Sequence, residues 1–230
     1  MPAYPDVYPR PPIVEAVIAL RFVHSEDVLA SVEQALGAAY PTRKTLQPND
    51  RSQHPVTQLS SADNLRHLIC ADGILSVHVL SPYPGWSVFL ALAQEAVAVL
   101  SRDVRQAGLA GLGVRYLDRI HLPDRFPNFH DYISVMPTCS AMSGHTSSFT
   151  SGITTTDSST QTRESLLVTS ISEDDNRWSF VCEVDVFREP HPPLTLEDDK
   201  DWITALELLH RRQREIFEAS ITDRTRELFQ

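Results

Sequence analysis

The chain has 230 residues, 42% of them hydrophobic, enough to bury a sizeable core in one domain or in two closely joined halves. Its formal charge of -10 works against non-specific nucleic-acid binding, because neutralising phosphates takes a basic surface. The opening MPAYPDVYPRPP lacks the apolar h-region of a signal peptide, and no run approaches about 18 consecutive apolar residues, so neither a leader nor a transmembrane helix is expected.

Residues 1–12 hold five prolines and no periodicity, the pattern of an extended arm. VEAVIALRFV (14–23) is β-branched, with Val14, Ala16, Ile18, Leu20 and Phe22 on one face, and reads as a strand. Ser25 is a fitting N-cap for a helix to about Ala39, ended by Tyr40-Pro41, and TRKTLQPNDRSQH then reads as a polar loop. Three short strands follow at 56–60, 65–70 and 74–81, the last two turning over Ala71-Asp72-Gly73. A long helix is expected from about Gly85 to Gln106, with Trp86, Phe89, Leu90, Ala93, Val97, Leu100 and Val104 on its apolar stripe and Gly108 closing it.

The order then repeats. LGVRYLDRIHL (112–122) is a strand, FHDYI (129–133) a single helical turn, and strands are expected at 148–156, 163–171 and 177–187, the last two joined by EDDN (173–176). A second long helix runs from about Leu196 to Ser220 on a stripe of Trp202, Leu206, Leu209, Gln213, Ile216 and Phe217, followed by a last turn capped by Thr222. The sequence therefore predicts an α+β fold built from a duplicated β-α-β-β-β-α unit. After the arm, residues 13–108 form one half and 109–230 the other, a single unit rather than independent domains. Two antiparallel four-stranded sheets, able to join into one curved sheet, would carry both long helices on one face.

PPIVEAVIALRF, GWSVFLALAQEAV, GVRYLDRI and LLHRRQREIFEASITDRTRELF together resemble a sporadically distributed family of uncharacterised bacterial proteins of similar length. Asp118 departs from the Asn that the family's pattern would place there. The resemblance brings no catalytic residues with it. The patchy distribution implies an accessory or defence-type setting.

Period-two alternation places Leu112, Val114, Tyr116, Asp118, Ile120 and Leu122 on the helix-covered face of their strand. Arg115, Arg119 and His121 point the other way, as do Glu15 and Arg21 on the first strand and Glu183 and Asp185 on the last. Cross-strand ion pairing on a solvated face accounts for such a row in structural terms. Its functional counterpart is a binding surface of Arg21, Arg115, Arg119, His121, Glu183 and Asp185. That points to a non-enzymatic, cytoplasmic binding or assembly subunit with a protein partner or a second copy of itself. The alternative is an enzyme or sensor for a phosphorylated small molecule or nucleotide, with Arg115 and Arg119 on phosphate and Glu183 and Asp185 beside them.

A carboxylate on the apolar face is costly, so Asp118 is expected near the sheet end or accepting hydrogen bonds from backbone or an Arg, as a structural anchor, with a perturbed acid at a functional site as the alternative. HExxH, CxxC, P-loop, GxGxxG and GxSxG patterns are all missing, so no metal or cofactor is expected. The three cysteines, Cys70, Cys139 and Cys182, read as reduced thiols. The Ser/Thr-rich stretch 143–162 reads as a solvated β-ribbon, and His210 to Arg214 as a basic patch on a helix surface.

Overall fold

Two strands from opposite halves of the chain form the seam of the molecule. β1 (Ile13–Phe22) and β6 (Leu109–Leu122) pair antiparallel, with Ile18 opposite Val114 and Leu20 opposite Leu112. The computed structural model describes residues 8–24, 27–46, 55–71, 73–137, 146–172 and 177–230. On one side of the seam lie β2 (Thr42–Leu46), β3 (Val56–Ser60), β4 (Arg66–Ala71) and β5 (Ile74–Leu80). On the other lie β7 (Thr150–Asp157), β8 (Thr162–Ser172) and β9 (Trp178–Arg188). All nine join in one antiparallel sheet, ordered β2-β3-β4-β5-β1-β6-β9-β8-β7 and roughly 40 Å across.

The α+β class expected from the sequence is therefore present, but the two four-stranded sheets are one sheet. The reason is the seam, which leaves neither half an edge of its own at β1 or β6. The halves are also unequal. TRKTL, expected as loop, is the exposed edge strand β2, where polar side chains are tolerated on both faces. The helix after β1 is α1 (Val28–Leu36), whereas its counterpart after β6 is only a three-residue 3-10 turn at Phe129–Asp131.

The expected first long helix is two helices, α2 (Trp86–Ala98) and α3 (Arg102–Ala107). Ser101 separates them, its Oγ accepting from the Val104 N–H at 3.4 Å as an N-cap. Gly108 follows with φ of 79°, and a Cβ there would lie 2.2 Å from the Leu194 carbonyl oxygen. The second long helix is α4 (Asp199–Ser220), and Thr222 caps α5 (Asp223–Glu227) as expected. Among the described residues no helix is long and apolar enough to cross a membrane. Ser25, Asp72, Cys139, the 173–176 turn, residues 1–7 of the arm, 47–54 of the polar loop and 143–145 of the Ser/Thr-rich stretch lie outside the described residues.

Ala16, Ile18, Leu20, Leu75, Val77, Val114, Val184 and Val186 form one buried cluster with Val32 of α1, Phe89 of α2, Val104 of α3 and Leu206 of α4. Helices therefore cover one face of the sheet. Residues 8–12 of the arm are held across the C-terminal segment. Arg10 N–H donates to the Phe229 carbonyl at 3.0 Å, and the Tyr8 ring meets Phe229 edge-on at 5.1 Å.

On the helix-free face, Gly111 and Gly113 of β6 leave room for the Phe187 ring, and a Cβ on Gly113 would lie 2.5 Å from Phe187 Cδ2 and 2.9 Å from the Val186 carbonyl oxygen. The backbone atom cannot swing aside. Gly113→Ala should destabilise the protein by about 1–3 kcal/mol in denaturant unfolding; an unchanged midpoint would show that the seam has slack there.

Candidate functional site

The seven positions picked out by the alternation share the helix-free face, where most of them are paired with opposite charges. Arg115 reaches Glu15 and Glu183, each at 3.6 Å. Arg21 pairs with Glu189 at 2.8 Å and lies 5.5 Å from the centre of the Phe187 ring. Asp185 faces Arg163 at 3.4 Å, and burial raises its pKa against the pull of that Arg. Arg119 and His121 stand exposed further along β6. The row also extends where the sequence reading did not look. His78 Nδ1 lies 2.7 Å from Glu15 and holds its carboxyl below the usual range, and His67 sits opposite His78 across β4 and β5. His67 in turn contacts Ser60 Oγ at 2.9 Å. The result is a polar band across seven strands, β3 to β8 in sheet order, whose charges are largely satisfied within the sheet.

The helix-covered side holds the opposite situation. A pocket of about 100 Å³ lies between the arm, the core face of β6, the residues leading into α2, and α4. β6 contributes Tyr116 and Asp118, successive residues on its buried face. α4 contributes His210, Gln213, Arg214 and Phe217, the i, i+3, i+4, i+7 stripe that a helix turns toward one neighbour. Tyr83 and Trp86 form the wall at the start of α2, and Tyr8 lines the arm side.

Most polar groups of this wall are engaged. Tyr83 and Tyr116 share a 2.8 Å hydrogen bond between hydroxyls. Trp86 and His210 stack in parallel at 4.0 Å. Glu218 accepts from Tyr8 Oη at 2.8 Å and from Arg226 Nε at 2.9 Å, so its carboxylate is buried with full compensation. Asp118 and Gln213 differ. Each is 3% exposed, and neither side chain has a hydrogen-bond or ion-pair partner among the described residues. The expectation that Asp118 is a hydrogen-bonded anchor is thus corrected. Its neighbours across the strands are Ile13 and Cys182, at a point where β1 bulges and offers it no donor.

Loss of water pushes the Asp118 carboxyl up to about 8, so it is mostly neutral at pH 7. Burial, and then Arg214, pull His210 down to about 4, so its ring is neutral as well. The pocket thereby offers a neutral acid and an amide, two donors-and-acceptors with no partner among the described residues, inside aromatic walls. Such groups ordinarily cost stability, and a convergent set of them in a concavity marks a ligand site. Of this set the sequence reading singled out Asp118 and put Gln213 on the buried stripe. His210 went to a surface patch, although the spacing of His210, Gln213 and Phe217 signals one helical face. Tyr83 carried no signal. Among the described residues no three His, Cys, Asp or Glu side chains gather to hold a metal.

The raised pKa has a direct consequence for stability. Between the unfolded value near 3.8 and about 8 the native state holds a proton that the unfolded chain has lost. This contribution is fully present below the unfolded value and falls away as pH rises, by about 1.4 kcal/mol per unit inside that window. Asp118→Asn should remove that slope in denaturant unfolding from pH 5 to 8.5; an Asn variant with the parent's slope would place the proton elsewhere.

Neither a protein-family model, nor a curated protein, nor a solved structure matches this chain.

Proposed function

We propose that the protein acts by binding, as a non-enzymatic subunit that holds a small molecule in the pocket beneath the arm. The observation that carries this reading is a pair of buried polar side chains, Asp118 and Gln213, on the walls of one pocket and without partners among the described residues. A fold that needed Asp118 only for its core would gain from an apolar residue of similar size. The phosphate reading of the helix-free face has less support, since Arg115 already neutralises two carboxylates and Arg21 one.

A protein partner or a second copy remains part of the proposal, at the sheet's edge. β7 is exposed along most of its length, carries no Lys or Pro, and presents Ile153 at 50% exposure. An edge of that kind accepts a further strand. The matching outward order, β1-β5-β4-β3 against β6-β9-β8-β7, supports reading the halves as copies of one unit. Resemblance to a sporadically distributed bacterial family suits an accessory role for such a subunit.

A small-molecule screen by ligand-observed NMR tests the main reading. Hits should be lost on Asp118→Leu and on Trp86→Ala but kept on Arg115→Ala. Asp118→Leu should also raise stability at pH 8 by about 1 kcal/mol or more. Hits that depend on Arg115 and not on Asp118 would return the site to the helix-free face.

A further inference from the structure

Resting on the pocket reading above, we propose that the ligand presents a primary ammonium group, held between Asp118 and Gln213 against the aromatic walls. Size limits the buried part first. An enclosed apolar cavity of about 150 Å³ takes benzene, so about 100 Å³ takes a group of about four heavy atoms. A longer molecule would place only its amine end there.

The charges around the pocket decide the sign. Glu218 is already compensated by Arg226 and Tyr8, and Arg214 on α4 is itself engaged. His210 on the same helix is neutral, and the flanking Tyr116 and Cys182 hold their protons because burial raises both pKa values. Asp118 is therefore the group that sets the balance. Ionised, it makes the wall a site for one positive charge. Among the described residues an anion would find Arg214, already engaged, as the wall's cation, with two carboxyl groups beside it.

Hydrogen bonding narrows the class further. Among the described residues, an ionised Asp118 and the Gln213 amide oxygen are acceptors without donors, and an ammonium supplies three N–H donors. A quaternary ammonium would fit the walls of Tyr83, Trp86 and Tyr116 through its charge and their ring faces, but would leave both acceptors unserved. A neutral amide could serve Gln213 and the protonated acid, yet would draw nothing from the charge that Asp118 is able to carry.

Binding then requires Asp118 to lose its proton, which gives the experiment its signature. Titrate the full chain by calorimetry with n-propylammonium, tetramethylammonium, 1-propanol and acetamide, at millimolar concentrations and from pH 6 to pH 9. Propylammonium should bind tightest. Its apparent affinity should rise on the order of tenfold per pH unit up to about pH 8 and level off above it, because only the ionised fraction is competent. In buffers of different ionisation enthalpy, nearly one proton should be released per amine bound at pH 7. Asp118→Asn, which keeps the side-chain shape, should remove the pH dependence and weaken propylammonium at least tenfold at pH 8, while its melting curve shows the fold intact. Tighter binding of acetamide or propanol, with no proton release, overturns the ammonium assignment and leaves the pocket reading standing. Tighter tetramethylammonium overturns the primary amine in favour of a quaternary one. If none of the four binds and the screen of larger molecules is also empty, the pocket reading itself falls.

Discussion

The pairing of β1 with β6 is the constraint from which the remaining geometry follows. A strand's side chains alternate between faces, so the register that sets Ile18 against Val114 also decides what lies above and below the whole sheet. Ala16, Ile18 and Leu20 go under the helices together with Tyr116 and Asp118, while Glu15 and Arg21 go to the other side with Arg115. A slip of one residue would exchange these sets. It would bury the ion pairs and expose the core, which is why the register is so firmly specified by an alternating pattern. The same seam merges the two halves into one sheet, with α4 packed over β6 and β9 and α2 over β5.

Two buried carboxylates within one pocket illustrate how differently a fold can treat the same group. Glu218 is surrounded by Tyr8 and by Arg226, which donates to both its side chain and its backbone carbonyl. Its burial ties the arm to the end of α4 and offsets the loss of water. Asp118 has no such neighbours among the described residues and keeps its proton instead. The first is structural in a plain sense. The second holds free energy in reserve, which a molecule supplying the missing partners would release on arrival.

Much of this was legible in the amino acids and some was not. Alternation placed Val114, Tyr116 and Asp118 on the covered face and Arg115 on the open one without ambiguity, and the helical stripe placed Gln213 among buried residues. What alternation could not convey is which donors stand opposite a given carboxylate, because that depends on residues far apart in sequence. Asp118 faces Ile13 and Cys182, and neither can help it. Alternation put Glu15 and Glu183 on the face of the cationic row, but gave no sign that Glu189, just past the end of β9, would reach Arg21. β2 was missed because an exposed edge strand such as TRKTL needs no apolar face. Ser101 divided a helix whose hydrophobic stripe runs on past it, because the stripe records burial while the cap records where the backbone bends.

The arm's clasp on the C-terminal segment bears on when the pocket comes into being. Its walls are drawn from residues 8–13, 83–86, 116–118 and 210–218, so they lie some two hundred positions apart along the chain. During synthesis, a nascent chain completed as far as β9 already possesses Asp118 and most of the sheet, but neither Gln213 nor the surface on which Tyr8 rests. Contacts of such long range form late. The pocket therefore depends on segments from both ends of this span being present together.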